Sequence, residues 1–254
     1  MQFGVCTGIE NGEIARAAGF SFIEPTVRSL HGGNDFPVIQ AAHAAAGLPT
    51  PTFNVFVPGD LKITGPTVDL AKLQVYVAES LGRVRAVGGE LVVFGSGGAR
   101  NIPDGFSRDA AWQQLIDFLQ MVAVECDKTG ISIAIEPLNR KESNVINSVA
   151  EGVKLAQAVD RVPIRVLADL YHMQEDAEPT DTVVENAAWL THVHVADSGR
   201  LAPGTGSYPY AEFFGYLKRT GYNGRIAFEC RWQDFEEEAG AAVEYLRRAW
   251  DQTG

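Results

Sequence analysis

Short β-rich runs alternate with longer helical patterns from one end of this chain to the other, and that alternation limits its architecture more than any other feature. Strands are predicted at 3–7, 22–27, 52–56, 91–95, 131–138, 166–172, 192–196 and 225–232. The clearest helical patterns lie between them, at 67–87, 108–128, 148–159, 180–190, 210–220 and 235–252. Gly19, Gly47, Gly88, Gly130 and Gly221 fall just before strands, where a helix C-terminus calls for a residue that tolerates positive φ.

Eight βα units with no composition break favour a closed (β/α)8 TIM barrel, a single domain over 1–254, rather than an open doubly wound sheet. A length of 254 residues at 46% hydrophobic content suits one such barrel. No G-x-G-x-x-G opens the first helix, so a dinucleotide-binding sheet lacks its main support. Gly95-Ser-Gly-Gly98 lacks the Lys-Ser/Thr ending of a phosphate loop and reads as a flexible active-site loop.

Barrel strands point alternate residues inward, and catalytic groups collect at their C-terminal ends. In 131–136, Ile131, Ile133 and Ile135 share one face, while Ser132, Ala134 and Glu136 share the other, which puts Glu136 inward at the mouth. The same parity turns Glu229 inward on strand eight, Asp169 on strand six, and His192 and His194 on strand seven. Any one of these alone is best read as a satisfied polar residue at a strand end. Three carboxylates gathered at one level, however, repel strongly in a low dielectric unless a cation compensates them. Glu136, Asp169, His194 and Glu229 are therefore expected to hold one divalent cation. Three oxygen donors and an imidazole suit Mn²⁺ or Mg²⁺ first, then Co²⁺, with Zn²⁺ less favoured. His192, one step deeper, is expected to make a core hydrogen bond.

The formal net charge of −11 disfavours a polyanionic partner, so nucleic acid is not expected. The N-terminus does not read as a signal peptide, and no run approaches the roughly 18 apolar residues of a membrane span. Cys6, Cys126 and Cys230 are widely separated and in no metal-ligand spacing, which fits reduced packing thiols in a cytoplasmic protein.

Ile135-Glu-Pro-Leu-Asn-Arg140, Ala168-Asp-Leu-Tyr-His-Met173, His192-Val-His-Val-Ala-Asp197 with Arg200 and Pro203-Gly-Thr-Gly206, and Glu229 together resemble the xylose-isomerase-like TIM barrel superfamily. Within it the chain is most similar to sugar epimerases and isomerases of the D-tagatose 3-epimerase and hydroxypyruvate isomerase type, and part of the wording resembles enzymes acting on 3-oxo-glycosides. The strongest matches cover residues 131–232. The resemblance implies metal binding by Glu136, Asp169, His194 and Glu229, proton shuttling by Glu136 and Glu229, and substrate contact by Glu142, His172 and Arg200. It also implies a homo-oligomer, dimer or tetramer. Asp197 departs from the pattern, since many epimerases carry Glu there, and the loops at 28–36 and 53–66 carry no assigned role.

Proton abstraction beside a carbonyl needs help with the developing oxyanion, which a divalent ion supplies. Two flanking glutamates then allow one to remove the proton and the other to return it through a cis-enediolate. The expected substrate is a small sugar or sugar derivative: a ketose, a hydroxypyruvate-like compound or a 3-oxo-sugar. Trp232 could wall a sugar ring, and Arg140 could support the site by a salt bridge. Three rivals stand beside this reading. A lyase or hydratase on a 3-oxo-glycoside would use the same metal. An abasic-site endonuclease would need a basic groove and more ligands than five histidines provide. A sugar-binding barrel without catalysis would need no metal.

Overall fold

The computed structural model describes residues 1–33 and 35–253, so Asn34 of the 28–36 loop lies outside the described residues. Eight parallel strands form one sheet: β1 (Gln2–Val5), β2 (Phe22–Ile23), β3 (Thr52–Phe53), β4 (Leu91–Phe94), β5 (Ser132–Ile135), β6 (Ile164–Asp169), β7 (Leu190–Val195) and β8 (Arg225–Phe228). Their order is β2-β1-β8-β7-β6-β5-β4-β3. The seam between β2 and β3 is drawn together by an isolated bridge between Thr26 and Asn54, and by Ile23 N donating to Pro49 O at 3.0 Å. The result is the nearly closed (β/α)8 barrel that the alternation predicts.

Helices ring the sheet: α1 (Gly12–Ala18), α2 (Phe36–Ala44), α3 (Leu70–Ala86), α4 (Gly97–Arg100), α5 (Arg108–Thr129), α6 (Val149–Val159), α7 (Leu170–Glu175), α8 (Thr182–Glu185), α9 (Tyr210–Arg219) and α10 (Phe235–Gln252). α3, α5, α6, α7 and α10 each begin on an Asp or Ser side chain that accepts from the first turn. Ser148 accepts from Glu151 N while Glu151 accepts from Asn147 N, a reciprocal box at the head of α6. Gly130 closes α5 in the left-handed region at φ 75°. Outward strand residues such as Val5, Val92, Phe94, Ile133, Val193 and Ile226 form the main core with the helices. Each such fully buried side chain contributes about 1.5–3 kcal/mol of transfer free energy.

The barrel interior is filled separately by Leu91, Val93, Ala134 and Leu167. On the β1 side, Phe22 fills it, and a Cβ at Gly4 would lie 2.2 Å from that ring. Apolar filling below and polar residues above leave the C-terminal mouth as the chemical end of the barrel.

The strands expected at 22–27 and 52–56 shorten to the two-residue β2 and β3, and three further elements depart from the sequence expectation. The strand expected through His172 ends at Asp169, because the Asp169 side chain accepts from Tyr171 N at 2.7 Å and starts α7. The helix expected at 180–190 is broken into α8 and a short 3-10 turn (Ala187–Trp189). There Asn186 Nδ2 donates to Thr182 O at 2.9 Å and competes with the backbone bond. The loop expected at Gly95-Ser-Gly-Gly98 instead enters a helical turn, α4, with Ser96 at φ 45°.

Candidate active site

The mouth is built from strand ends. Glu136 follows β5, and its N donates to Phe94 O at 3.1 Å before Pro137 takes the chain out of the ladder. Its carbonyl accepts from Arg100 Nη2 at 2.8 Å. Room for its carboxylate comes from Gly95 at the end of β4, where a Cβ would stand 2.2 Å from Glu136 Oε2. Arg100 is fully buried and also donates to Phe94 O at 2.9 Å, so it ties the ends of β4 and β5 together.

Asp169 ends β6 and caps α7 with Oδ1, which places His172 one turn further on the same face. His172 Nδ1 accepts from Asn139 N at 3.1 Å and lies 2.9 Å from Asn139 Nδ2. A ring that accepts at Nδ1 carries its proton on Nε2. Nε2 is buried without a hydrogen-bond partner among the described residues and lies 3.7 Å from Asp169 Oδ2, so it offers the mouth an N–H rather than a lone pair.

His194 and His192 project inward from β7, and both meet a residue that the sequence reading did not single out. Glu24, just past β2 and fully buried, lies 2.7 Å through Oε1 from His194 Nε2 and 2.7 Å through Oε2 from His192 Nε2. The other face of His194 looks at the carboxylates: Nδ1 is 3.0 Å from Glu136 Oε1 and 3.7 Å from Glu229 Oε2. The core hydrogen bond expected of His192 is present. Cys6, expected as packing, lines the same wall with Sγ 3.5 Å from Glu24 Oε1.

Glu229 follows β8, its N donating to Val195 O at 3.0 Å. Arg200 donates to Glu229 Oε2 at 2.6 Å and to both Glu142 oxygens at 3.1 Å, with its guanidinium 5.0 Å over the Tyr171 ring. Arg140 pairs with Asp176 at 2.8 Å instead, on the rim. Trp232 packs edge-on against Phe235, and its buried Nε1 has no protein partner.

The electrostatics set the two glutamates apart. Burial pushes Glu136 up and the nearby Glu229 carboxylate adds to that, only partly offset by His194. Burial also acts upward on Glu229, but His194 and Arg200 override it and hold its carboxyl at about 2. Burial alone would lower His194, yet Glu24 and its other neighbours hold it well above the usual imidazole range. A divalent cation and a proton compete for the same Nδ1 position.

Among the described residues, Glu136, Asp169, His172 and Glu229 offer ligand-type atoms all within 4.8 Å of one another. That set contains three of the four expected ligands and puts His172 where His194 was expected. The hydrogen bonding distinguishes the two rings. His172 presents Nε2–H, whereas His194, with Nε2 against a carboxylate, can turn an Nδ1 lone pair to the same carboxylates once its proton leaves. Three clustered carboxylates, one of them pushed up by its neighbour, and one imidazole fit a hard divalent cation. Of the substrate-contact residues expected, His172 belongs to this cluster, Arg200 borders it through Glu229, and Glu142 pairs with Arg200.

A family model described as xylose isomerase-like TIM barrel matches residues 13–249. The chain is 30% identical over 119 residues to D-psicose 3-epimerase of Ruminiclostridium cellulolyticum, covering 46% of this chain and 41% of that protein. It is 29% identical over 126 residues to 3-dehydro-D-guloside 4-epimerase of Escherichia coli, covering 49% of this chain and 48% of that protein. The matched stretches thus span about half the length of these curated relatives or less. The crystal structure of a 3-keto-D-glucoside 4-epimerase from E. coli superposes with a TM-score of 0.85 at 24% identity, covering 98% of this chain and 99% of that one. No helix among the described residues is long and apolar enough to cross a membrane.

Proposed function

The chain belongs to the xylose isomerase-like TIM barrel family, and from that premise we propose that it is a divalent-metal-dependent sugar isomerase or epimerase. The substrate is a small ketose, hydroxypyruvate-like compound or 3-oxo-sugar, and proton transfer runs through a cis-enediolate. Both curated relatives named above are epimerases of sugars or sugar derivatives. The observation that carries the reading is the pair of inward glutamates just past β5 and β8, which meet Asp169 and an imidazole in one buried cluster at the barrel mouth.

Glu136, Asp169, His194 and Glu229 hold the cation, with Mn²⁺ or Mg²⁺ preferred for this donor set. When bound, the cation stabilises negative charge developing on the substrate's oxygens, an effect of several kcal/mol. One of Glu136 and Glu229 removes the proton from the carbon next to the carbonyl, and the other returns one. Return to the opposite face of the same carbon gives an epimer, whereas return to the neighbouring carbon, with a proton moved between oxygens, gives the aldose–ketose isomer. His172 Nε2–H and the Arg200 guanidinium hold substrate oxygens, and Glu142 orients Arg200 by accepting from its Nη1 with both oxygens.

The test is incubation with free ketoses, hydroxypyruvate and 3-oxo-glycosides in deuterated water, with and without Mn²⁺. Metal-dependent uptake of deuterium at one carbon, lost in Glu136→Gln and Glu229→Gln, is expected. Exchange that survives both substitutions, or release of a leaving group in place of an epimer, would overturn the assignment.

A further inference from the structure

We propose that Glu24 is a positioning residue that fixes the tautomer and ring orientation of His194, and thereby the affinity of the cation site. The proposal rests on the metal reading above, but makes a separate claim about a residue on the opposite side of the barrel.

Glu24 leaves β2 with its N donating to Val5 O at 2.8 Å, which turns its side chain into the barrel. It reaches across β1 and β8 to β7, where its two oxygens divide between two rings: Oε1 to His194 and Oε2 to His192, each at 2.7 Å. The carboxylate is wholly buried, and its ion-pair partners among the described residues are those two imidazoles. Burying a carboxylate this way costs several kcal/mol unless its lone pairs are filled. Here they are filled by two ring N–H groups and the Cys6 thiol.

An ionised carboxylate only accepts, so each imidazole carries a proton on Nε2. For His194 that leaves Nδ1, the nitrogen 3.0 Å from Glu136, as the one position able to ligate. The same rule makes Nδ1 of neutral His192 an acceptor. That atom is buried without a hydrogen-bond partner among the described residues, and His192 lines a cavity of about 360 Å³ with Thr52, Glu90 and Arg225. Glu24 thus holds Nε2 of both rings and leaves Nδ1 of each free of it, that of His194 facing Glu136.

The test measures Mn²⁺ affinity by equilibrium dialysis for the wild type, Glu24→Gln and Glu24→Asp, and reads the His194 tautomer by ¹⁵N NMR in the Mg²⁺-loaded wild type. Loss of a carboxylate behind a ligating imidazole lowers metal affinity about 10–100-fold, and that is the expected effect of Glu24→Gln. The aspartate, one methylene short of the rings, should fall between. In the loaded wild type, Nε2 should carry the proton. Folded Glu24→Gln that binds Mn²⁺ within threefold of wild type overturns the role of Glu24 and leaves the metal reading standing. Wild type that binds no Mn²⁺ overturns both. Should both variants fail to fold, the NMR decides on the wild type alone: a proton on Nδ1 refutes the proposal and one on Nε2 supports it.

Discussion

Substituting Gly95 by alanine separates the geometry of the site from the stability of the barrel. Gly95 has an ordinary negative-φ backbone and is buried, so alanine meets no strain of its own. Its Cβ, however, would stand 2.2 Å from Glu136 Oε2 and 3.3 Å from Glu136 Cδ. Restoring a normal contact displaces the carboxylate by about 1 Å, and a misplacement of that size costs on the order of 10²-fold in rate. Removing a glycine also cuts unfolded-state entropy, worth about 0.4–1 kcal/mol in favour of the folded chain, which offsets part of the local crowding. Gly95→Ala is thus expected to lose about 100-fold in kcat for deuterium exchange on whichever sugar the wild type turns over, and to bind Mn²⁺ more weakly. Its melting temperature should move by no more than about 4 °C, since 1 kcal/mol corresponds to about 2–4 °C in a domain of this size. Turnover within threefold of wild type would refute the position assigned to Glu136, and a collapse in stability would show that the contact belongs to the core rather than to the chemistry.

Arg100 makes a complementary case. Replacing it with methionine leaves Glu136 O without a donor, while Phe94 O keeps Glu136 N and Ile146 O keeps Leu138 N, so a loss of about 1–3 kcal/mol is expected by denaturant titration. Arg100→Lys should cost at least as much, because a compact ammonium cannot reach two strand ends at once; a well-tolerated lysine would show that charge alone is what the site needs. Dialysis against a chelator should abolish exchange and lower the melting temperature, with both restored by Mn²⁺; at a hundredfold excess over Kd the restored stability is about 2.7 kcal/mol. Glu178, at the head of α6, is raised to about 7 by burial. Between its unfolded value and about 7 the folded chain binds the extra proton, so stability falls as pH rises through that window. Glu178→Gln, which keeps the acceptor for Val149 N, should flatten that fall, as read from melting temperatures at pH 5 and pH 8.

What could be read without coordinates was whatever obeys the period of a strand. Glu136, Asp169 and Glu229 each follow an inward-facing small or apolar residue by two positions and His194 follows the inward His192, so parity alone brings all four to one end. Glu24 obeys the same parity two residues after Phe22, and Ile23-Glu24-Pro25 repeats the wording of Ile135-Glu136-Pro137. Parity alone does not mark its role, because the importance of Glu24 lies in two imidazoles 168 and 170 positions away. The role of His172 is implied by the family resemblance and not by strand parity, for a related reason. Continuing the strand through 172 would have assigned its face by alternation, whereas the Asp169 side chain diverts the backbone into a helix and sets the ring by a turn of 3.6 residues instead. Its proton is then placed by Asn139, which strand parity does not mark at all. Period fixes which residues arrive at a site, but hydrogen bonds between distant strands decide which atom of each faces inward, and for an imidazole that is the difference between a ligand and a donor.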